Sequence, residues 1–442
     1  MKFNALVAVT GLLLFGQTTL AQTREEKVRN DREKVEAEGF WIYNDLPKAF
    51  ETAKETGKPI LVVLRCIPCE ECVKLDDDLV EQDPVIRPLL DKFVCARQVS
   101  TNGLDLNLFQ YDTDQSFAVF MLNADKTIYG RFGTRSHRTE WIGDVSLKGM
   151  AAALEGALAL HADYPNNKES LAGKHGEPVR FASPEKYPSL KEKFTDSLNY
   201  SGNVVQSCIH CHMIGDAERD LYRAAGEAIP EKVLYPYPHP TVVGLTLDPH
   251  TAATIKEVNE GSEADEAGFK AGDAIKTLNG QPILSMADVQ WVLQQTSPAG
   301  GTVQATVDRD GASKDLDLTV ENGWRLKGDI TWRVSAWGLR RMTTGGMLLG
   351  ALTDEERREK KISGDGMALL VKHVGQYGAH AAAKKAGFQQ GDIIVAIDGQ
   401  KDMTSEADLF RYGVTEKRAG DQLAVTVIRN GKEQKLKLPM QE

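Results

Sequence analysis

The chain has 442 residues, 41% of them hydrophobic, and a formal net charge of −10 at pH 7. That length suffices for about three domains with ordinary globular cores. No basic cluster follows the first few residues, so nothing attracts nucleic acid, and the acidic surface serves solubility.

The N-terminus reads as a secretory signal over residues 1–21: Lys2 supplies the positive start, Ala5 to Phe15 an apolar run broken by Thr10 and Gly11, and Thr19-Leu20-Ala21 a small-residue cleavage site. The run is too short to span a bilayer as a stable helix, so no stable membrane insertion is expected. A soluble, periplasmic or otherwise extracytoplasmic protein starting near Gln22 is expected. Residues 22–39 are charged with few apolar positions and predict a solvated helix or a loose arm.

From Trp41 the pattern tightens. Leu46, Ala49, Phe50 and Ala53 fall on one face of a predicted helix, and Pro59 to Leu64 predicts a buried strand. The alternation continues through FVCARQV and FAVFML, and an amphipathic helix over 146–161 closes an α/β unit. Residues 40–162 resemble a thioredoxin-like domain, on GKPILVVL leading into a cysteine pair followed by VKLD, then DPVIRPLLDKFV and FAVFMLNADKTIYGRFG. The resemblance implies a catalytic thiol pair, Cys69 and Cys72, with Cys69 attacking; Cys66 and Cys69, which flank Ile67-Pro68, are the competing pair. A cysteine in the first turn of a helix faces unpaired N–H groups that stabilise its thiolate. Glu70 and Glu71 oppose that charge, so a reductant or a structural disulfide fits better than a strong oxidant. Ser116 stands where thioredoxin-like proteins carry a cis-proline, which bears on substrate handling. Cys95, in an apolar strand, reads as an inert buried thiol.

Residues 163–240 contain SCIHCH at 207–212. C-x-x-C-H is the attachment pattern of c-type haem: Cys208 and Cys211 would form the thioethers of one covalent haem c, and His212 would bind the iron. A bare disulfide needs no histidine, and no second C-x-x-C lies nearby to complete a zinc site. EKFTDSLNYSGNVV and DAERDLYRAAGEA predict two short helices around the attachment loop. So small a segment must sandwich a porphyrin against a neighbouring domain. His161, His175, His239, Met342 and Met347 are the candidates for a sixth ligand.

The last two hundred residues repeat. AGFKAGDAIKTLNGQ at 267–281 returns as AGFQQGDIIVAIDGQ at 386–400, with eight of fifteen positions identical at an offset of 119. Both resemble PDZ domains of exported bacterial proteins, here over 241–325 and 326–442, with hairpin turns at Asn279-Gly280 and Asp398-Gly399. A PDZ module binds an extended peptide, often a protein C-terminus, as an added strand. In the first module the resemblance places that site at Gly244, Leu245, Thr246 and Leu247; in the second, Gly345-Gly346-Met347-Leu348 is nearest. No G-x-S-x-G nucleophile context occurs in the chain.

The expected fold is therefore multidomain, α/β plus β-rich: a thioredoxin-like domain, a small helical haem-binding segment and two PDZ domains. The expected function is an exported redox protein in which peptide-docking modules bring a client near a thiol pair and a haem, working with a redox partner protein. The thiol pair implies a thiol–disulfide oxidoreductase. The alternative is a non-enzymatic PDZ scaffold or haem sensor whose thioredoxin-like domain only packs.

Overall fold

A computed structural model describes residues 23–65, 83–115, 117–133 and 144–442. The signal peptide, Cys66, Cys69, Cys72 and Ser116 lie outside the described residues, and so do the expectations placed on them.

Five strands, β1 (Ile42–Tyr43), β2 (Ile60–Arg65), β3 (Val94–Gln98), β4 (Phe117–Leu122) and β5 (Ile128–Phe132), form one sheet in the order β1-β3-β2-β4-β5. β3 runs parallel to β1 and β2, whereas β4 pairs antiparallel with β2 and β5. Every residue of β2 is buried because both faces are covered, which explains its unbroken apolar run. Leu61 and Val63 point to a core shared with Leu154 and Ala157 of a helix over Leu147–Asp163. Ile60, Val62 and Leu64 alternate to the opposite core, under Ala49 and Ala53 of the predicted helix, which spans Leu46–Thr56.

The charged arm is ordered. It forms α1 (Arg24–Glu38), started by a reciprocal Thr23–Glu26 capping box and ended by Gly39. Val28 and Val35 are buried, Asp31 takes the Arg65 guanidinium at 2.6 Å, and Glu25 accepts the Val204 and Val205 amides at 3.1 and 2.9 Å. Long-range ion pairs and two apolar contacts thus hold in place a helix whose sequence alone reads as solvated.

The first PDZ module pairs β6 (Leu245–Leu247) with β7 (Ile255–Val258), beside a four-stranded sheet ordered β11-β10-β8-β9 from β8 (Ala274–Leu278), β9 (Gln281–Pro282), β10 (Gly300–Arg309) and β11 (Ala312–Glu321). The second module is a five-stranded sheet in sequence order: β12 (Met347–Ala351), β13 (Leu369–Val374), β14 (Ile393–Ile397), β15 (Gln422–Arg429) and β16 (Lys432–Pro439). Asn279-Gly280 and Asp398-Gly399 all adopt positive φ, as tight hairpin turns require. Buried Asp273 pairs with Arg309 at 2.7 Å, and its counterpart Asp392 pairs with Arg429 at 2.6 Å. The repeat thus duplicates an internal ion pair as well as turns.

The first module is fastened to the thioredoxin-like sheet. The face of its helix, Met286–Gln295, meets β5: Asp288 accepts the Arg131 amide at 3.1 Å and the Lys174 ammonium at 3.0 Å, and Trp291 Nε1 donates to Gly173 O at 2.9 Å. Further along, Arg333 Nη1 reaches Asp112 at 2.7 Å and Asp114 at 3.2 Å, all three buried.

Candidate functional site

The C-x-x-C-H segment is built onto the thioredoxin-like domain. Thr101 N–H and Oγ1–H donate to Ile209 O at 3.2 and 2.8 Å, and the Ile209 amide donates to Asn102 Oδ1 at 2.8 Å. The Asn102 amide in turn donates to Thr195 O and Ser207 O. Only one of the two helices expected around the loop forms. It starts within the motif, as Cys211–Ala225, and lays Ile214 and Ala217 on the sheet's core. Residues 192–205 make turns instead, because Ser207 Oγ donates to Val204 O and accepts the Asn199 amide while Thr195 Oγ1 takes Ser197 O. Such short polar side chains compete with helical bonding.

Cys208 and Cys211 are not joined in a disulfide. His212 follows on the first helical turn, and its Nδ1 lies 3.3 Å from Asp216 Oδ2 one turn on. A carboxylate on Nδ1 orients the ring and leaves Nε2 to a metal. The Tyr111 hydroxyl is buried against Cys211. Burial, with the neighbouring thiol, pushes it well above its ordinary range. Two thiols not joined to each other and an imidazole held by Asp216 are a donor set that fits a covalently attached haem. Four of the five candidate sixth ligands are engaged elsewhere, and His239 through one ring nitrogen only. His161 uses both ring nitrogens, on the Tyr129 hydroxyl and Gly57 O, and His175 Nε2 lies on Lys126 O. Met342 and Met347 are core residues around the second PDZ module, and His239 bonds Thr241 through Nδ1. Sequence spacing shows His212 but gives no reason to single out Asp216 at i+4.

In the first PDZ module, Gly244 ends a 3-10 turn at φ 87, and a Cβ there would sit 2.0 Å from Ser262 Oγ, so the loop requires glycine. Gly244 O accepts the Asn259 amide, which turns the Leu245 N–H and C=O to the opposite edge. The Asp248 amide donates to Thr254 O, which turns the Leu247 N–H the same way. Among the described residues β6 pairs with β7 alone, so this row of backbone groups faces an edge with no strand partner there. Leu245 and Leu247 are buried, and Thr246 is half-buried. The four predicted residues therefore lie together on one edge strand and its glycine loop.

The second module differs. Glu406, at the start of its helix Glu406–Thr415, accepts the Leu349 amide of β12 at 2.9 Å and is buried against Arg340, which donates Nε at 3.1 Å and Nη2 at 2.5 Å. Arg340 comes from a helix over Ala336–Thr344 that packs on Glu406–Thr415. The strand position equivalent to the open edge of β6 is satisfied from within the chain. In sequence, Glu406 looks like an ordinary acidic residue of a helix's first turn.

Residues 41–124 match the family model described as thioredoxin-like, and residues 241–320 and 370–440 match the PDZ domain model. The chain contains a thioredoxin-like domain and two PDZ domains. A probable periplasmic serine endoprotease DegP-like of Marinomonas sp. (strain MWYL1) is 29% identical over 57% of this chain and 46% of its own length. Another of Hahella chejuensis is 30% identical over 42% of this chain and 38% of its own, and the periplasmic pH-dependent serine endoprotease DegQ of Escherichia coli is 27% identical over 35% and 30%. The chain thus spans less than half the length of each. Among solved structures, the HtrA-type protease AlgW with decapeptide is 18% identical over 32% of this chain and 49% of that one, at a TM-score of 0.21. The HtrA3 PDZ domain bound to a phage-derived ligand is 20% identical over 21% and 80%, at a TM-score of 0.17. The protein is exported and periplasmic, as the N-terminal pattern predicts. Among the described residues no helix is long and apolar enough to cross a membrane.

Proposed function

We propose that this is a periplasmic peptide-docking protein whose first PDZ module takes an extended segment on β6 and holds it against a fixed thioredoxin-like domain. The observation that carries the reading is the unpaired edge of β6 behind the Gly244 loop. Main-chain bonds to such an edge give affinity with little sequence demand. The second module has an architectural role, because Glu406 already fills its edge. The serine endoprotease activity of the relatives is not carried over to this chain, whose sequence contains no G-x-S-x-G.

The test is fluorescence polarisation with labelled hexapeptides, free-acid and amidated, of the kind that end in an apolar residue. Leu247→Pro removes an edge amide without touching a β7 bond, and Gly244→Val closes the loop. Binding weakened about tenfold or more by both supports the reading. Unchanged binding in Leu247→Pro overturns it. The thiol arm, Cys69 and Cys72, is tested by insulin reduction: activity that survives Cys69→Ser removes the pair from the proposal.

A second reading rests on the Asp216–His212 contact. Cys208 and Cys211 would hold a covalent haem through thioethers and His212 Nε2 its iron. When bound, that group supplies a one-electron couple. Asp216 orients the imidazole, and the bonds to Ile209 and Ser207 fix both thiols relative to the sheet. Protein matured with a haem-attachment system is expected to keep its pigment after denaturation and acid extraction, and Cys208→Ser or Cys211→Ser to reduce it. A colourless wild-type polypeptide sinks this reading and leaves the peptide reading intact.

A further inference from the structure

Thr246 of β6 and Gln290 of the helix Met286–Gln295 form two walls of a cavity of about 440 Å³. The remaining walls come largely from two segments, 235–239 and 325–333, that lie outside the residues matched by the PDZ domain model. These segments bring Pro236, Tyr237 and Trp332, each half-buried and so with surface left to offer, beside buried Tyr235 and Ile330. Thr241, Lys327 and Asp329 are exposed and mark the mouth.

The polar side chains around this wall hold it in place. Arg325 Nη1 donates to Tyr235 O at 3.1 Å, Arg333 Nη2 to Pro236 O at 2.5 Å and Gln290 Nε2 to Tyr237 O at 3.2 Å. The Tyr237 amide donates to Gln294 Oε1 at 2.8 Å. Proline has no N–H, so every backbone polar group from Tyr235 O to Tyr237 O is taken by a side chain. Tyr237 sits at φ 47, a left-handed conformation that bulky residues rarely adopt, and these bonds keep it there. Arg333 is tied in turn to Asp112 and Asp114 of the thioredoxin-like domain. The wall is therefore fixed from two sides and cannot fold into the space beside β6. The surface it turns to the cavity is mostly apolar, ring and proline carbon.

A strand added on β6 turns alternate side chains to one face, and pockets for those side chains give a docked strand its specificity. We propose that a segment docked on β6 is selected by an aromatic side chain that enters this cavity, and that Trp332 and Tyr237, both outside the module, select it. Offset and edge-on ring contacts add to the burial that any apolar side chain would gain there. The inference rests on the peptide reading of β6 given above. Fluorescence polarisation of the full-length protein tests it, with labelled alanine-based hexapeptides that end in valine and carry Trp, Leu or Ala at each preceding position in turn. At one position Trp is expected to bind at least tenfold more tightly than Ala and about threefold more tightly than Leu. Trp332→Leu, which keeps apolar bulk, and Tyr237→Gly, which suits φ 47, are each expected to cut that preference about three- to tenfold. Both should leave the Ala peptide, held by main-chain bonds, unchanged, and Trp332→Phe should keep the preference; thermal unfolding checks the fold. Equal affinity for Trp, Leu and Ala at every position, with binding still lost in Leu247→Pro, overturns this inference and leaves the peptide reading standing. A preference for Trp that survives both Trp332→Leu and Tyr237→Gly also overturns it. No binding of any peptide overturns both.

Discussion

Arg333→Met should be among the most damaging single changes in the chain, with a cost set by pH. Arg333, Asp112 and Asp114 are 5%, 2% and 3% exposed, and the one guanidinium bonds both carboxylates. Burial alone would push the Asp114 carboxyl up, but Arg333, Arg219 and the Ser335 bonds outweigh it and hold it low, whereas burial keeps Asp112 raised against the pull of Arg333. Without Arg333, two adjacent carboxylates share a site with no guanidinium between them, and one must take a proton to relieve it. Protonating a carboxyl of ordinary pKa near 3.9 costs about 4 kcal/mol at pH 7 and about 1.5 kcal/mol at pH 5. The first figure agrees with the roughly 3–5 kcal/mol expected for breaking a buried pair. The sign follows: in the variant the folded-state pKa lies above the unfolded value, so stability is lost as pH rises from the unfolded toward the folded pKa. Urea unfolding followed by tryptophan fluorescence at pH 5 and pH 7 measures this, since Trp332 lies beside Arg333. Arg333→Met/Asp112→Asn should regain most of the loss at pH 7. An equal loss at both pH values, or no rescue by Asp112→Asn, would refute the electrostatic account.

Two further outcomes follow from buried groups. Lys174→Met removes the ammonium bonded to Asp288, leaving the Arg131 and Leu284 amides and the field of the Arg131 guanidinium, and should destabilise by about 2–4 kcal/mol; Lys174→Met/Asp288→Asn should recover much of it in the same urea assay. Burial pushes the Cys95 thiol far above its usual range, so peptide mapping after iodoacetamide at pH 8 should find Cys95 unmodified in the native protein and modified in urea.

The architecture of the candidate sites was legible in parts. The C-x-x-C-H spacing and the glycine-led strand at Gly244 are short-range signals, and each survives folding as one local unit. The orientation of His212 by Asp216 and the closing of the second groove by Glu406 were not legible, because an acidic residue in a helix carries no mark of what it will face. The expected helix over 192–205 failed for a related reason: Asn102, about a hundred residues upstream, collects the Thr195 and Ser207 carbonyls that the turns expose.

By itself the sequence determined what depends on neighbours in the chain: the doubly buried strand Ile60–Arg65, the two modules with their Asn-Gly and Asp-Gly turns, and the helix face of Ala49 and Ala53. Only the tertiary structure decided that the charged arm packs, that one PDZ edge stays open while its duplicate is sealed, and that Arg333 joins carboxylates more than two hundred residues away. The physical reason is range. Hydrophobic period and turn chemistry act over a few residues, whereas a buried charge is stable only where the fold supplies its partner.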